Sequence, residues 1–251
     1  MTNKYEMESG GRVLELEFGK IAKLANGSVT ITVGETIILV TACSKSDPMD
    51  VDFLPLTVEV NEKAYAAGKI PGGFFKREAR PPEEAILNAR LVDRPLRPLF
   101  PKSFHNDTQI AITVLSTDLT FPYSSLGIIG ASAALMVSDI PFNDPVGACE
   151  VGLVEGELII NPSYEQLAES DLQLTVAGTE DAIMMVEAGA KFVSEETLLE
   201  ALELAQSHNA EIAKLQKTIA TEIGKDKFEI PEVIEEKIIN NEEEISKKFN
   251  E

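Results

Sequence analysis

Residues 66–78 read AAGKIPGGFFKRE and residues 90–101 read RLVDRPLRPLFP, and no other part of the chain is as informative about its architecture. The first stretch contains three glycines, a composition typical of a surface loop. The second carries arginines at spacings of four and three residues among apolar ones. The sequence therefore predicts a glycine-rich loop from Gly68 to Phe75, followed by a helix that bears arginine.

The start and end of this helix have their own signals. Pro81-Pro82 opens it, and Glu83-Glu84 lies in the first turn, where the helix dipole favours acidic residues. Pro95 is expected to end it, because proline cannot donate the next backbone hydrogen bond. The apolar stripe that would pack on a core comprises Ile86, Leu87, Leu91 and Val92.

The charge of the chain is distributed unevenly. The formal net charge is −20, which at first argues against binding another polyanion. Between Lys63 and Lys102, however, nine basic and four acidic residues give +5, and the other residues carry −25. Five of the six arginines lie between Arg77 and Arg97. This window is therefore expected to contact an anion.

Phe74, Phe75, Lys76 and Arg77 combine aromatic and cationic side chains in four consecutive residues. Bases of single-stranded nucleic acid stack on aromatic rings for roughly 1–3 kcal/mol each, while cations hold the phosphates. A hairpin with both phenylalanines packed beneath it is an equally acceptable interpretation of these four residues alone.

Arg90, Arg94 and Arg97 would follow on one face of the helix and the turn after it. The planar guanidinium group of arginine donates two hydrogen bonds to a phosphate at once. The alternative is structural ion pairing with Glu83-Glu84 or Asp93, and the arginines alone favour that alternative.

Strands and helices alternate irregularly elsewhere, which predicts an α+β fold. Alternating apolar residues predict strands from Arg12 to Ala42, and residues 127–137 are expected to form a buried helix. A hairpin is predicted across Glu155-Gly156. Ser194 is expected to cap a long amphipathic helix, and the glutamate-rich residues after Gly224 predict further helix with too few apolar residues for a core.

Composition indicates a cytoplasmic protein. No apolar run approaches the roughly 18 residues that span a bilayer, and the polar N-terminus is not a signal peptide. Cys43 and Cys149 both lie in apolar runs and are expected to be buried, reduced thiols. His105 and His208 lie far apart without partners at metal-ligand spacing, so no catalytic or metal-binding set is predicted.

With these residues in place, the chain resembles the polynucleotide phosphorylase family. The resemblance is most specific over residues 66–101 and extends over roughly residues 10–210. The stretches that carry the rest of it are Gly11-Arg12, Gly34-Glu35-Thr36, Ile129 to Leu135, Ile140 to Asn143, Val176 to Thr179 and Met185-Val186-Glu187.

The resemblance implies processive 3′→5′ phosphorolysis of single-stranded RNA, with inorganic phosphate as the attacking group, nucleoside diphosphates as products and Mg²⁺ as cofactor. It also implies a homotrimeric ring with RNA in its central pore. Residues 1–222 would form a first RNase PH-like domain and residues 223–251 the start of a helical domain. The RNA-binding residues implied are Phe74, Phe75, Lys76, Arg77, Arg80, Arg90, Arg94 and Arg97.

The sequence departs from the family at Lys76, where an arginine is usual, and over Asp118 to Ser125. The metal-binding aspartates and the phosphate site of the family belong to a second RNase PH-like domain, so this chain alone is expected to be inactive. Two alternatives stay open. One is a single-domain RNase PH-like enzyme, and the other is a non-catalytic RNA-binding ring subunit of an exosome-like assembly.

Overall fold

A computed structural model describes residues 2–72 and 80–229. Within these residues, ten strands form two β-sheets, and four α-helices pack on them. The strands are β1 (Asn3–Ser9), β2 (Arg12–Phe18), β3 (Gly27–Val33), β4 (Thr36–Pro48), β5 (Leu56–Asn61), β6 (Asn106–Ser116), β7 (Gly147–Val154), β8 (Glu157–Ile160), β9 (Leu172–Gly178) and β10 (Ile183–Ala190). The helices are α1 (Glu83–Leu96), α2 (Ser124–Val137), α3 (Tyr164–Glu169) and α4 (Glu195–Ile223). The mixed order confirms the predicted α+β class.

The first sheet positions α1. Its strand order is β1-β2-β3-β4-β6-β5, and β5 alone runs parallel to its neighbour, β6. Parallel neighbours require a crossover that leaves the sheet and returns, and α1 lies in this connection. The helix buries Ala85, Val92 and Leu96, so one face packs on the core and the opposite face remains in solvent.

The buried helix α2 joins the two halves of the core. It contacts β3 and β4 of the first sheet and β7 of the second, and nearly all of its residues are buried. Close approach requires small residues: a Cβ atom on Gly27 would lie 2.0 Å from the carbonyl oxygen of Ala134. The predicted buried helix over residues 127–137 is confirmed.

The second sheet has the order β10-β9-β7-β8 and is covered by α4. The predicted hairpin is confirmed, since β7 pairs with β8 across Glu155 and Gly156, which both have positive φ. The side chain of Ser194 accepts a hydrogen bond from the Thr197 amide, which confirms the predicted cap of α4.

Three sequence-based expectations are wrong. In the apolar stripe predicted for α1, Ile86 and Leu87 are exposed, because the buried face of the helix is formed by Ala85, Val92 and Leu96. Pro95 lies inside α1, which continues to Leu96 and then tightens into a 3₁₀ turn over Arg97–Leu99. Proline removes one intrahelical hydrogen bond and crowds the carbonyl four residues earlier, and here this disturbance is confined to the last turn of α1. Cys43 is exposed, because alternation along β4 buries Ala42 and turns the next side chain outward. Cys149 is buried as expected.

The residues after α4 return to the C-terminal end of α2. The Nζ atom of Lys227 donates hydrogen bonds to the carbonyl oxygens of Leu135, Met136 and Ser138, at 2.9, 3.0 and 2.7 Å. These carbonyls belong to the end of α2, where the last backbone C=O groups of a helix have no intrahelical N–H partner and need other donors. Burial lowers the pKa of Lys227 to about 8, although Asp139 opposes the change.

We expect this contact to make stability depend on pH. Lys227 binds its proton less tightly in the folded chain than in the unfolded chain, so the free energy of unfolding should rise between about pH 8 and the ordinary lysine pKa of 10.5. Lys227→Met should lack this rise, whereas Lys225→Met should keep it, because the Lys225 amine donates to a single carbonyl, that of Asn26, among the described residues. Urea unfolding at both ends of the range measures the difference, and parallel pH profiles for wild type and Lys227→Met would contradict the assignment.

Candidate functional site

Four of the eight predicted RNA-binding residues lie outside the described part of the chain. These are Phe74, Phe75, Lys76 and Arg77, and their role stays a prediction. Arg80, Arg90, Arg94 and Arg97 are described, and they extend from the residue before Pro81 to the 3₁₀ turn after α1.

The N-terminal part of α1 forms as the sequence predicts. Pro82 is the N-cap residue, and Glu83 and Glu84 occupy the first turn. Arg90 and Arg94 are four residues apart on this helix, and both are exposed. The structure therefore presents two guanidinium groups on one solvent-facing side of α1.

Arg94 also contacts the second sheet. Its Nη1 atom lies 2.9 Å from Oε2 of Glu187 on β10, and the two side chains are 49% and 54% exposed. Exposed ion pairs contribute about 0–1 kcal/mol, so this contact leaves Arg94 available to a stronger anion. Neither β10 nor this pairing was predicted from the sequence.

Arg97 lies in a different environment from Arg90 and Arg94. Its guanidinium group donates to both carboxylate oxygens of Asp93, at 3.0 and 2.7 Å. It also donates to the carbonyl oxygens of Leu54 and Leu56, at 2.9 and 3.1 Å. These four hydrogen bonds fasten the end of α1 to the start of β5, and the pairing with Asp93 matches the structural alternative. Contact between Arg97 and RNA stays a prediction.

Arg80 borders a cavity of about 730 Å³ beside the start of α1. The lining also includes Glu62 and Glu84 with the rings of Tyr123 and Tyr164. Burial, and to a smaller extent the charge of Glu84, raises the pKa of Glu62. Cationic and anionic side chains therefore line the same cavity, beside the start of α1.

Other chemistry-bearing residues are held in structural contacts. His208 is buried, with Nε2 2.9 Å from the Ser9 hydroxyl, and Nε2 of half-buried His105 lies 3.1 Å from the Lys102 carbonyl oxygen. Within residues 2–72 and 80–229, no group of three or more His, Cys, Asp or Glu side chains could hold a metal ion. No helix in this part of the chain is long and apolar enough to cross a membrane.

Comparison with known proteins accounts for this architecture. Residues 10–141, which include α1 and α2, match domain 1 of the 3′ exoribonuclease family. Residues 144–208, which include the second sheet, match domain 2 of the same family.

Curated relatives agree over nearly the whole chain. Polyribonucleotide nucleotidyltransferases of Heliobacterium modesticaldum and Thermus thermophilus are each 52% identical over 90% of the chain. The protein of the same name from Finegoldia magna is 50% identical over 98% of it. The chain spans 32% to 34% of the length of these relatives. Because the first match alone covers more than half of the chain, the protein belongs to the 3′ exoribonuclease family.

Proposed function

We propose that this chain is the RNA-guiding part of a polyribonucleotide nucleotidyltransferase, a processive enzyme that degrades RNA 3′→5′ with inorganic phosphate and releases nucleoside diphosphates. The observation that carries the proposal is the 52% identity to enzymes of that name over 90% of the chain. It favours this function over a single-domain RNase PH-like enzyme or an exosome-like subunit.

Charge and geometry support the guiding role. The window between Lys63 and Lys102 carries +5 in a chain of −20, so RNA is attracted to one side and repelled elsewhere. Arg90 and Arg94 face solvent on one side of α1, and Arg80 precedes the helix. In the proposal these guanidinium groups hold phosphates, as Lys76 and Arg77 do, while Phe74-Phe75 stacks on bases.

The chemical step is proposed to take place elsewhere in a longer protein. A second RNase PH-like half would hold Mg²⁺ and phosphate, and the enzyme would be a cytoplasmic homotrimer around a central RNA path. Magnesium would offset the charge on the phosphoryl oxygens. This chain would bind and orient the RNA strand so that its 3′ end reaches that site.

We therefore expect the 251-residue chain alone to release no nucleoside diphosphate from poly(A) in the presence of phosphate and Mg²⁺. The reason is that its described residues provide no cluster of metal-binding carboxylates. Chromatography of the nucleotide products measures the outcome, with a full-length polyribonucleotide nucleotidyltransferase as the positive control. Phosphate-dependent release of diphosphates by the purified chain would instead support the single-domain enzyme.

A further inference from the structure

The cavity beside Arg80 lies at the carboxyl ends of two parallel strands. Strand β5 ends at Asn61 and β6 at Ser116, and the residues that follow them, Glu62 and Thr117, both line the cavity. Open α/β sheets bind ligands in the crevice outside the carboxyl ends of their strands, and this pair repeats that arrangement locally. The volume of about 730 Å³ falls within the range of roughly 300–1,000 Å³ that is typical of small-molecule sites.

The walls of the cavity favour a planar aromatic ligand. The apolar and aromatic side chains that line it include Val60, Val114, Leu119, Tyr123 and Tyr164. The Tyr123 hydroxyl accepts a hydrogen bond from Asn88 at 3.2 Å, which holds that ring in place. Tyr164 is 43% exposed, so its ring is accessible to a ligand. Nucleobases that are not paired stack on such rings.

Glu62 supplies the hydrogen-bond acceptor of this lining. Its side chain is half-buried, so the carboxylate remains within reach of a ligand. Burial, and to a smaller extent the charge of Glu84, raises the pKa of Glu62, so donors from a ligand would stabilise the ionised form. Burial also raises the pKa of Tyr164, and the charges of Glu84, Glu150 and Glu62 add to that effect. Tyr164 and Glu62 therefore lie close together, whereas Glu150 is only 3% exposed and does not line the cavity.

The neighbouring pair Asn61 and Glu62 matches the edge of one base. A carboxylate has two acceptor oxygens and no donor, and an asparagine amide can donate. Guanine presents two adjacent donors, N1–H and the N2 amino group, beside the acceptor O6. Glu62 suits the two donors, and Asn61 suits O6. Adenine presents one amino donor beside the acceptor N1, which a carboxylate oxygen repels.

Arg80 supplies the opposite charge at the same cavity. Its side chain is exposed, and a guanidinium group donates two hydrogen bonds to a phosphate. A ligand with a donor edge and an anionic group satisfies both Glu62 and Arg80, which a simple cation or a free phosphate does not.

We propose that this cavity binds one guanine nucleotide, with the base edge on Glu62 and the phosphate on Arg80. The inference rests on the proposed RNA-guiding role for the source of the nucleotide, which is a guanosine unit of the RNA strand. The same chemistry would hold a free guanine nucleotide, so the experiment separates the two sources.

Titration calorimetry of the 251-residue chain with guanosine monophosphate and adenosine monophosphate tests the cavity itself. Wild type should bind one equivalent of the guanosine nucleotide, about tenfold or more tightly than the adenosine nucleotide. Glu62→Gln should abolish this preference, because an amide replaces one acceptor oxygen with a donor. Glu59→Gln on β5 is the matched control: it removes the same charge from an exposed side chain outside the lining and should keep the preference.

Three results would overturn the site. They are no binding of guanosine monophosphate by wild type, equal affinity of wild type for the two nucleotides, and a preference that survives in Glu62→Gln. If Glu62→Gln does not fold, Tyr164→Leu replaces it, because leucine keeps an apolar side chain and removes the ring. Tyr164→Leu should weaken binding of guanosine monophosphate about tenfold, and unchanged affinity would count against the proposal equally.

RNA titration identifies the source of the nucleotide. A short oligouridylate is compared with the same strand carrying one central guanosine. Tighter binding of the second strand by wild type, lost in Glu62→Gln and kept in Glu59→Gln, assigns the cavity to RNA. Binding of guanosine monophosphate without binding of either strand would count against the RNA-guiding role alone. Equal binding of both strands without binding of guanosine monophosphate would count against the cavity alone.

Discussion

Replacing Phe74 and Phe75 together with alanine should change RNA degradation from processive to distributive in the full-length enzyme proposed here. Stacking ignores base identity, so it can hold a strand while allowing it to slide between cleavage events. Losing roughly 1–3 kcal/mol per stacked base would speed dissociation of the strand by about tenfold or more. A degradation time course on long RNA should then show a ladder of intermediates instead of intact substrate beside end product.

The control for this result is a second exposed aromatic residue. Phe192, just after β10, is fully exposed and lies outside the basic window, so Phe192→Ala should leave processivity unchanged. In the double variant, Lys76 and Arg77 would still attract RNA, so binding at low salt should fall less than processivity. If Phe74 and Phe75 instead pack in the core, the double variant should have a lower melting temperature and a lower yield of trimer. Its processivity per active trimer should then be unchanged.

Local patterns explain which structural predictions were confirmed. Helix α1 begins where prolines and glutamates mark its first turn, and the cap of α4 depends on a side chain three residues from its amide partner. The hairpin across Glu155-Gly156 follows from two residues that both adopt positive φ. Each of these features is encoded within a few neighbouring residues.

Contacts between distant residues explain what the sequence could not predict. Glu187 is 93 residues from Arg94, and the carbonyls that hold Arg97 are more than 40 residues away from it. Glu150 was not singled out, because its sequence neighbours do not reveal that its carboxylate is buried with one oxygen unpaired among the residues that the structure describes. The spacing of arginines predicts a basic helix but does not distinguish exposed arginines from one held by the core.

That distinction leads to opposite expectations for two neighbouring arginines. Arg97→Ala should lower the free energy of unfolding by about 1.5–3 kcal/mol, because it leaves Asp93 and two backbone carbonyls without their charged donor. Arg94→Ala should change stability by less than about 1 kcal/mol, because it removes only an exposed ion pair. Its effect should instead be on RNA affinity, which we expect to fall about tenfold or more. Urea unfolding and RNA titration at several salt concentrations measure both quantities.

Arg97→Lys separates the structural role of Arg97 from contact with RNA. Lysine keeps the positive charge. Its ammonium group cannot reproduce the planar guanidinium group, which donates to Asp93 through two nitrogen atoms and also donates to two backbone carbonyls. If Arg97 fastens α1 to β5, Arg97→Lys should be nearly as unstable as Arg97→Ala. If Arg97 serves RNA through its charge, Arg97→Lys should keep wild-type RNA affinity, and Arg97→Ala should lose affinity without losing stability. The salt dependence adds a second readout, because removing a phosphate contact reduces the slope of log affinity against log salt by roughly one. We expect that reduction for Arg94→Ala and not for Arg97→Ala, which would show the reduction only if Arg97 contacts a phosphate.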